Sequence, residues 1–251
     1  TIAEWGAMNK GWKTAYILLD TAIEYNKGIC YGFDWMWKEK LGLEILGHDV
    51  YKNDDASIAA QITKIKSLPS EPDVIINCSY IPGGASAIKQ LRAAGINSAI
   101  GGGSSMTGTF WQDAVPGLSN HFVPEQASIY GDDPRSEVEL FNKKFEERFG
   151  EKVNSQYTYP GYLVVEMWAR AVEMAGTFDT DAVIKAMETF DQEPFLIGTR
   201  SFTNQLHHQD RAPYLIVETT NNVPRVVEQF MISEKVPMDV NFGKRYEYIA
   251  R

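Results

Sequence analysis

Three short clusters hold the residues best suited to grip a ligand: Asp20 to Tyr25, Ser79 to Gly84 and Gly101 to Ser105. They offer hydroxyl donors and acceptors, flat aromatic faces and close backbone approach at glycine. The groups that would turn binding into catalysis are not arranged there. A dinucleotide fold wants a glycine-rich turn after its first strand, and Asp20-Thr21-Ala22-Ile23-Glu24 stands in that place. A phosphate-binding loop wants Lys-Ser or Lys-Thr after its glycines, whereas Gly101-Gly102-Gly103 runs into Ser104-Ser105. A phosphoacceptor domain wants an Asp ending its third strand, and Cys78-Ser79-Tyr80 occupies that point. A hydrolase elbow needs a trailing glycine after its Ser. Ser104 lacks that context, and none of His48, His121, His207 and His208 is placed by a motif to serve it. His207 and His208 are adjacent, so their rings would diverge in a strand and make a poor metal pair. The clusters read as binding without chemistry, with no cofactor, metal or catalytic residue.

Those clusters must be positioned by the elements before them. From Lys13 to Val123 the chain repeats one unit, a short apolar strand, a polar turn and an amphipathic helix. Strands are expected at residues 14–19, 44–50, 74–78 and 98–100, with a fifth at 118–123. Alternation of this length predicts parallel crossovers and an α/β sheet. Such a sheet places ligands beyond the carboxyl ends of its strands, where the three clusters fall. A short helix is expected at 2–10, ended by Gly11, and a long one at 24–41 burying Ile29, Phe33, Met36, Trp37 and Leu41. Asn53-Asp54-Asp55 offers oxygens to cap the next helix, which buries Ile58, Ile62, Ile65 and Leu68. A further helix opens at Pro82 and ends at Gly95.

After Glu125 the pattern changes. A loop through Gly131-Asp132-Asp133-Pro134 leads to three successive helices. The first buries Val138, Phe141, Phe145 and Phe149, the second Leu163, Met167, Ala171 and Met174, and the third Val183, Met187 and Phe190. No strand is expected between them, so their apolar faces need a surface supplied from elsewhere. Residues 213–219 and 224–231 then read as a hairpin around Asn221-Asn222.

A chain of 251 residues has room for two modest domains. Its net charge of -9 argues against nucleic acid or an anionic membrane as partner. No apolar run approaches the ~18 residues of a membrane span. No signal segment is recognisable at Thr1, so the start is expected to be a processed or truncated one. The two cysteines, Cys30 on a helix and Cys78 at a strand end, read as buried free thiols, with a disulfide as the alternative.

Five stretches in order resemble the type I periplasmic solute-binding proteins, of the branched-chain amino acid group that serves ABC importers. They are Lys13 to Gly28, with Asp20 ending a strand before Tyr25; Ile58 to Lys66 with Pro72-Asp73-Val74-Ile75-Ile76; and Ile88 to Gly95. Tyr157 to Tyr162 and Phe202 to Val217 complete the set. Asn26 stands where the family's first Gly is usual. The resemblance implies a Venus flytrap fold of two α/β lobes around a ligand cleft, closing on a solute for delivery to a membrane permease. It makes residues 1–124 the second lobe, 125–212 the later and mainly helical part of the first, and 213–251 a return hairpin with a tail. It implies that the first lobe's leading portion, roughly a hundred residues and so domain-sized, is absent here. It also implies a periplasmic or other extracytoplasmic location.

Tyr25, at a helix start beside a strand end, can wall the cleft and hydrogen-bond a ligand. Tyr80 matches the region where the family places a second cleft Tyr, and Ser104 and Ser105 can donate to ligand oxygens. Asp20 stands close by, and Tyr157 and Tyr159 are candidates to reach the cleft from the other lobe; Trp111 reads as core or lid. Amino-acid binders of this family carry a carboxylate near Gly103 to pair the ligand's ammonium. Either Glu125 or Glu24 substitutes, or the ligand has no ammonium, since an unpaired buried charge is strongly disfavoured. The second reading favours a small carboxylate, an aromatic acid, an amide or a polyol. A sensory domain of the same fold is the alternative function, and a Ser hydrolase using Ser104 or Ser105 the third.

Overall fold

The computed structural model describes residues 1–207, 209 and 211–241, so His208, the second member of the histidine pair, and residues 242–251 of the tail lie outside the described residues. The chain divides into two compact units, Thr1–Glu125 together with the chain from Leu215, and Gln126–Tyr214.

The first unit is built on a seven-stranded sheet. Its strands are β1 (Thr14–Asp20), β2 (Glu44–Tyr51), β3 (Val74–Cys78), β4 (Ala99–Gly102), β5 (His121–Glu125), β8 (Tyr214–Thr220) and β9 (Val223–Phe230), with Tyr214 the boundary residue. The spatial order is β2-β1-β3-β4-β5-β8-β9. The first five run parallel, and β8 joins β5 antiparallel, with Glu125 opposite Leu215. β1, β3 and β4 are almost wholly buried, as continuous apolar strands covered on both faces should be. The chain leaves β1 toward β2 on one side and returns to β3 on the other. The crevice between β1 and β3 is therefore the topological switch point of the sheet.

Helices α1 (Ile2–Asn9), α2 (Glu24–Asp34), α3 (Ala59–Lys66) and α4 (Gly83–Ala93) flank the sheet, and α8 (Met238–Asn241) touches α2. One side of the core gathers Trp5, Trp12 and Phe122, with ring centroids 5.3–6.3 Å apart. Gly6 sits under the Trp12 ring, where a Cβ has no room. The expected long helix changes character at its C-terminal end. Residues 35–40 form a π-helical turn closed by Leu41 N–H on the Met36 carbonyl, which keeps Trp35, Met36 and Trp37 all buried. Asn221 and Asn222 take φ of 50° and 60° in the β8–β9 turn, as a tight hairpin requires.

Two expectations are corrected in this unit. Cys30 and Cys78 are not free thiols; they form a disulfide with Cα atoms 5.8 Å apart. The reason is packing: α2 lies across the carboxyl end of β3 and brings one turn of helix against the strand end. Nor does Asn53-Asp54-Asp55 cap α3, which begins after Ile58 without a side-chain cap. Asp55 accepts from Lys52 N–H in its own turn, and Asn53 serves the start of α4.

The second unit holds α5 (Ser136–Phe149), α6 (Thr158–Ala175) and α7 (Thr180–Met187) around a separate core of Val138, Tyr159, Leu163, Ala171, Val183 and Phe190. Asp179 caps α7 by accepting from Ala182 N–H at 3.0 Å. A small antiparallel pair, β6 (Glu193–Phe195) and β7 (Gly198–Arg200), supplies local cover that the sequence pattern did not announce. Phe149 and Met174 were expected to be buried, and both are exposed; they fall on the outer side of their helices. Among the described residues no helix is long and apolar enough to cross a membrane.

Candidate functional site

The carboxyl edge of the first unit's sheet carries a continuous hydrogen-bonded network across the switch point. Asp20 ends β1 and is fully buried. Its Oδ2 accepts from Ser79 Oγ and from Asn53 Nδ2, both at 2.7 Å, and its Oδ1 accepts from Ala22 N–H at 3.0 Å. Asn53 Nδ2 also donates to the Tyr80 carbonyl at 3.0 Å, and its Oδ1 accepts from Gly83 N–H at 3.2 Å. A single amide thus joins the ends of β1, β2 and β3 to the first turn of α4. The fit is close, since a Cβ at Gly83 would run into the Asn53 backbone.

From Ser79 the network passes toward β4. The Ser79 carbonyl accepts from Ser105 Oγ at 2.6 Å, and Ser105 N–H donates to the Tyr25 hydroxyl at 3.2 Å. Tyr25 and Ser104 hydroxyls lie 3.1 Å apart. Beneath this layer Tyr51 donates to Asn77 Oδ1 at 2.7 Å, and Asn77 Nδ2 donates to the Gly84 carbonyl at 3.2 Å. Burial is the chief cause of the raised Tyr51 pKa, so its phenol stays protonated and donating. Asn26, fully buried in the first turn of α2, donates to the Asp20 carbonyl at 3.0 Å and so ties the Tyr25 helix to the β1 end.

The predicted site residues separate into groups. Tyr25, Ser104, Ser105 and Gly103 are brought together, with the Tyr25 ring 41% exposed. Tyr80, half-buried just past β3, enters the network through its carbonyl, which accepts from Asn53 Nδ2. Asp20 is no exposed contact: its carboxylate is spent inside the network, so it acts as a positioning residue. Glu125 ends β5 fully buried, and Glu24 is exposed and pairs with Lys27 at 2.5 Å. Trp111 is core, packed edge-on against His121.

In the second unit Tyr157 is 49% exposed at the start of α6. Tyr159 is a correction. It is fully buried, its hydroxyl 2.7 Å from both the Ser128 carbonyl and Asn142 Oδ1, because it faces α5 within that unit's core. His207 lies in a bend, not a strand, pairs with Glu188 at 2.8 Å and stacks on Phe202. No cluster suited to a metal ion occurs among the described residues.

Asn53, Ser79, Asn77 and Tyr51 were missed as site residues. Ser79 opens the second of the three clusters, beside the more conspicuous Tyr80. Asn53 had a usable signal, since it follows the carboxyl end of β2 and so stands at the same edge. Its place before a helix made capping the more obvious reading.

Gly103 is tightly enclosed. A Cβ there would meet Ile29 Cδ1 and lie 2.9 Å from the Tyr25 hydroxyl. Any side chain at this point needs the Ile29 and Tyr25 side chains to shift. The hydroxyls of Tyr25, Ser104 and Ser105 gather around this point.

The family model described as periplasmic binding protein matches residues 1–222. Among curated proteins none matches the chain in sequence. Among solved structures, a leucine binding protein from Thermotoga maritima superposes with a TM-score of 0.78 at 18% identity, covering 91% of this chain and 63% of its own. A branched-chain amino acid transporter substrate binding protein from Streptococcus pneumoniae, solved in complex with isoleucine, gives 0.76 at 18% identity, covering 92% and 63%. An amino acid ABC transporter substrate-binding protein from Pseudomonas fluorescens gives 0.73 at 15% identity, covering 96% and 64%. The chain therefore spans less than two thirds of the length of these structures.

Proposed function

The chain belongs to the periplasmic binding proteins, and on that premise we propose that it binds a small solute outside the cytoplasm for delivery to an ABC importer. The first unit corresponds to the second lobe of that architecture, and the second unit to the later part of the first lobe. The observation that carries the reading is the hydroxyl surface of Tyr25, Ser104 and Ser105 at the switch point, held in place by buried Asp20. Such a surface recognises a ligand by hydrogen bonds and moves no proton, so the reading is binding and not catalysis.

The ligand class follows from charge. The edge offers Tyr25, Tyr80, Ser104, Ser105 and backbone amides, and the Gly103 space is filled by Ile29 and the Tyr25 hydroxyl. Asp20 has its oxygens engaged inside the network. A ligand ammonium would meet no counter-charge among these groups, with Glu24 paired to Lys27 and Glu125 fully buried, and an unpaired buried ammonium is strongly disfavoured. The solute is thus an acceptor-rich molecule, a small carboxylate, an aromatic acid, an amide or a polyol. Leucine and isoleucine are the ligands named for two of the structural relatives, and at 18% identity those relatives speak for the fold alone.

The Cys30–Cys78 disulfide supports the compartment, since such bridges persist where the environment is oxidising. The test is titration of the isotope-labelled chain with these solutes and with leucine, followed by amide resonances. Carboxylates or amides should move the Tyr25, Tyr80, Ser104 and Ser105 signals, and leucine should do so far more weakly.

A further inference from the structure

The first unit holds a second concave surface, an open groove of about 450 Å³ that shares no residue with the network at the switch point. A volume of this order suits a small molecule. One wall is a face of α4 and its N-cap, where Pro82, Ala85, Ser86 and Lys89 recur at intervals of three and four and so stand on one side of the helix. The other wall is Phe110 and Trp111, in the chain between β4 and β5. The two rings differ sharply in setting. Trp111 is 4% exposed, while Phe110 is 67% exposed and leaves a large apolar ring in water at the groove's edge.

The polar groups of the groove are donors. Lys89 is exposed and is the one charged side chain in the lining; among the described residues no acidic side chain lines it. Ser86 Oγ already accepts from Gln90 Nε2 at 3.1 Å, so its own proton is the group it can offer. Trp111 Nε1, a donor only, is buried with no hydrogen-bond partner among the described residues. His121 packs edge-on against the Trp111 ring at 5.5 Å, yet neither of its ring nitrogens has a partner either, so the imidazole does not take the indole proton. A buried donor left without an acceptor is costly. Apolar walls, a single cation and donors in want of an acceptor together describe the complement of an amphipathic anion.

We propose that this groove is a second ligand site, which takes a monocarboxylate with an aliphatic body of several carbons. The body lies against Pro82, Ala85 and Phe110, and the carboxylate accepts from Lys89 and Ser86, one helical turn apart on the same face of α4. Hydrogen bonds to an ionised acceptor are the stronger kind. One cation balances a monoanion, whereas a dianion would carry an unmatched charge onto apolar walls. The apolar body separates this ligand from the small acceptor-rich solutes assigned to the Tyr25 edge.

Octanoate is the probe, and the full isotope-labelled chain is the sample. The amide signals of Ser86, Lys89 and Phe110 and the indole N–H signal of Trp111 should move together and saturate. Each methylene taken out of water is worth about four-fold in affinity, so butanoate should bind roughly ten-fold or more weakly even in a half-open groove. Lys89→Met keeps the apolar stem and removes the charge. It should lower the ratio of octanoate to octanol affinity about three-fold, the size of an exposed ion pair. Phe110→Ala should weaken octanoate and octanol alike. Both substitutions are at exposed positions, and Lys144→Met, exposed on α5, should match the parent chain. Groove signals that stay still, butanoate binding as tightly as octanoate, or an unchanged ratio in Lys89→Met overturns the proposal. Octanoate shifts at Tyr25, Ser104 and Ser105 alone, persisting in Lys89→Met, would belong to that edge and also overturn it. The groove can thus fail while the Tyr25 reading stands, and the reverse.

Discussion

At the residue scale, the carboxyl-edge network is held by Asp20 acting as an acceptor. It takes three hydrogen bonds at once, from Ser79, Asn53 and Ala22. Asp20→Asn replaces one acceptor oxygen with a donor facing two donors. Buried donors left without partners cost about 1–3 kcal/mol, so urea midpoints should fall by that order with the m-value unchanged. An unchanged midpoint would show that the network is not closed as described. His121 gives the pH dependence. Burial, then the nearby Arg92 charge, lowers its pKa from 6.5 to about 3, and neither ring nitrogen has a hydrogen-bond partner. The neutral form is therefore the folded form. The stability it contributes is complete above the unfolded value near 6.5 and is lost as pH falls from there toward 3. Between pH 7 and pH 5 that loss amounts to roughly 2 kcal/mol. His121→Leu should flatten the urea-melt slope over this interval, and an equally steep variant would contradict the assignment.

At the scale of elements, the disulfide joins the helix that carries Tyr25 to the strand end that precedes Ser79. It closes a span of 48 residues, for which loop entropy gives about 4 kcal/mol. Cys30→Ser with Cys78→Ser should lower stability by about that amount and speed hydrogen exchange in the first turn of α2. Exchange equal to the parent chain there would mean that packing alone holds the helix. The sequence made most of the elements legible, because a parallel sheet writes itself as apolar runs with helices between. β1 through β5 fall within a few residues of their expected places. The small β6–β7 pair was not legible, because three-residue strands carry too short a pattern for period-two alternation to show. The bridge between Cys30 and Cys78 was not either, since nothing in spacing says which helix face meets a strand end. At the site, Tyr25, Ser104 and Ser105 came from their places at strand ends. Asn53 escaped because its partners, Asp20, Tyr80 and Gly83, come from three other parts of the chain.

At the scale of the molecule, the chain makes two units with two cores. In the second, Val164, Val165, Trp168 and Phe178 are between 48% and 76% exposed, so its helices leave a broad apolar face uncovered. The faces expected to need an outside surface, at Val138, Leu163, Ala171 and Val183, instead pack on one another, and the uncovered residues lie at other positions of the unit. Membership of the periplasmic binding proteins rests on the family match over residues 1–222, and the solved relatives add the fold. Ligand recognition at the carboxyl edge of the first unit is the central claim built on them. Amide chemical-shift mapping during titration with small carboxylates, aromatic acids, amides and leucine tests it most directly. Shifts should be confined to the first unit's edge, at Tyr25, Ser79, Tyr80, Ser104 and Ser105, with acceptor-rich solutes ahead of leucine. Shifts that leave those residues untouched, or leucine binding more tightly than every carboxylate and amide, would contradict it.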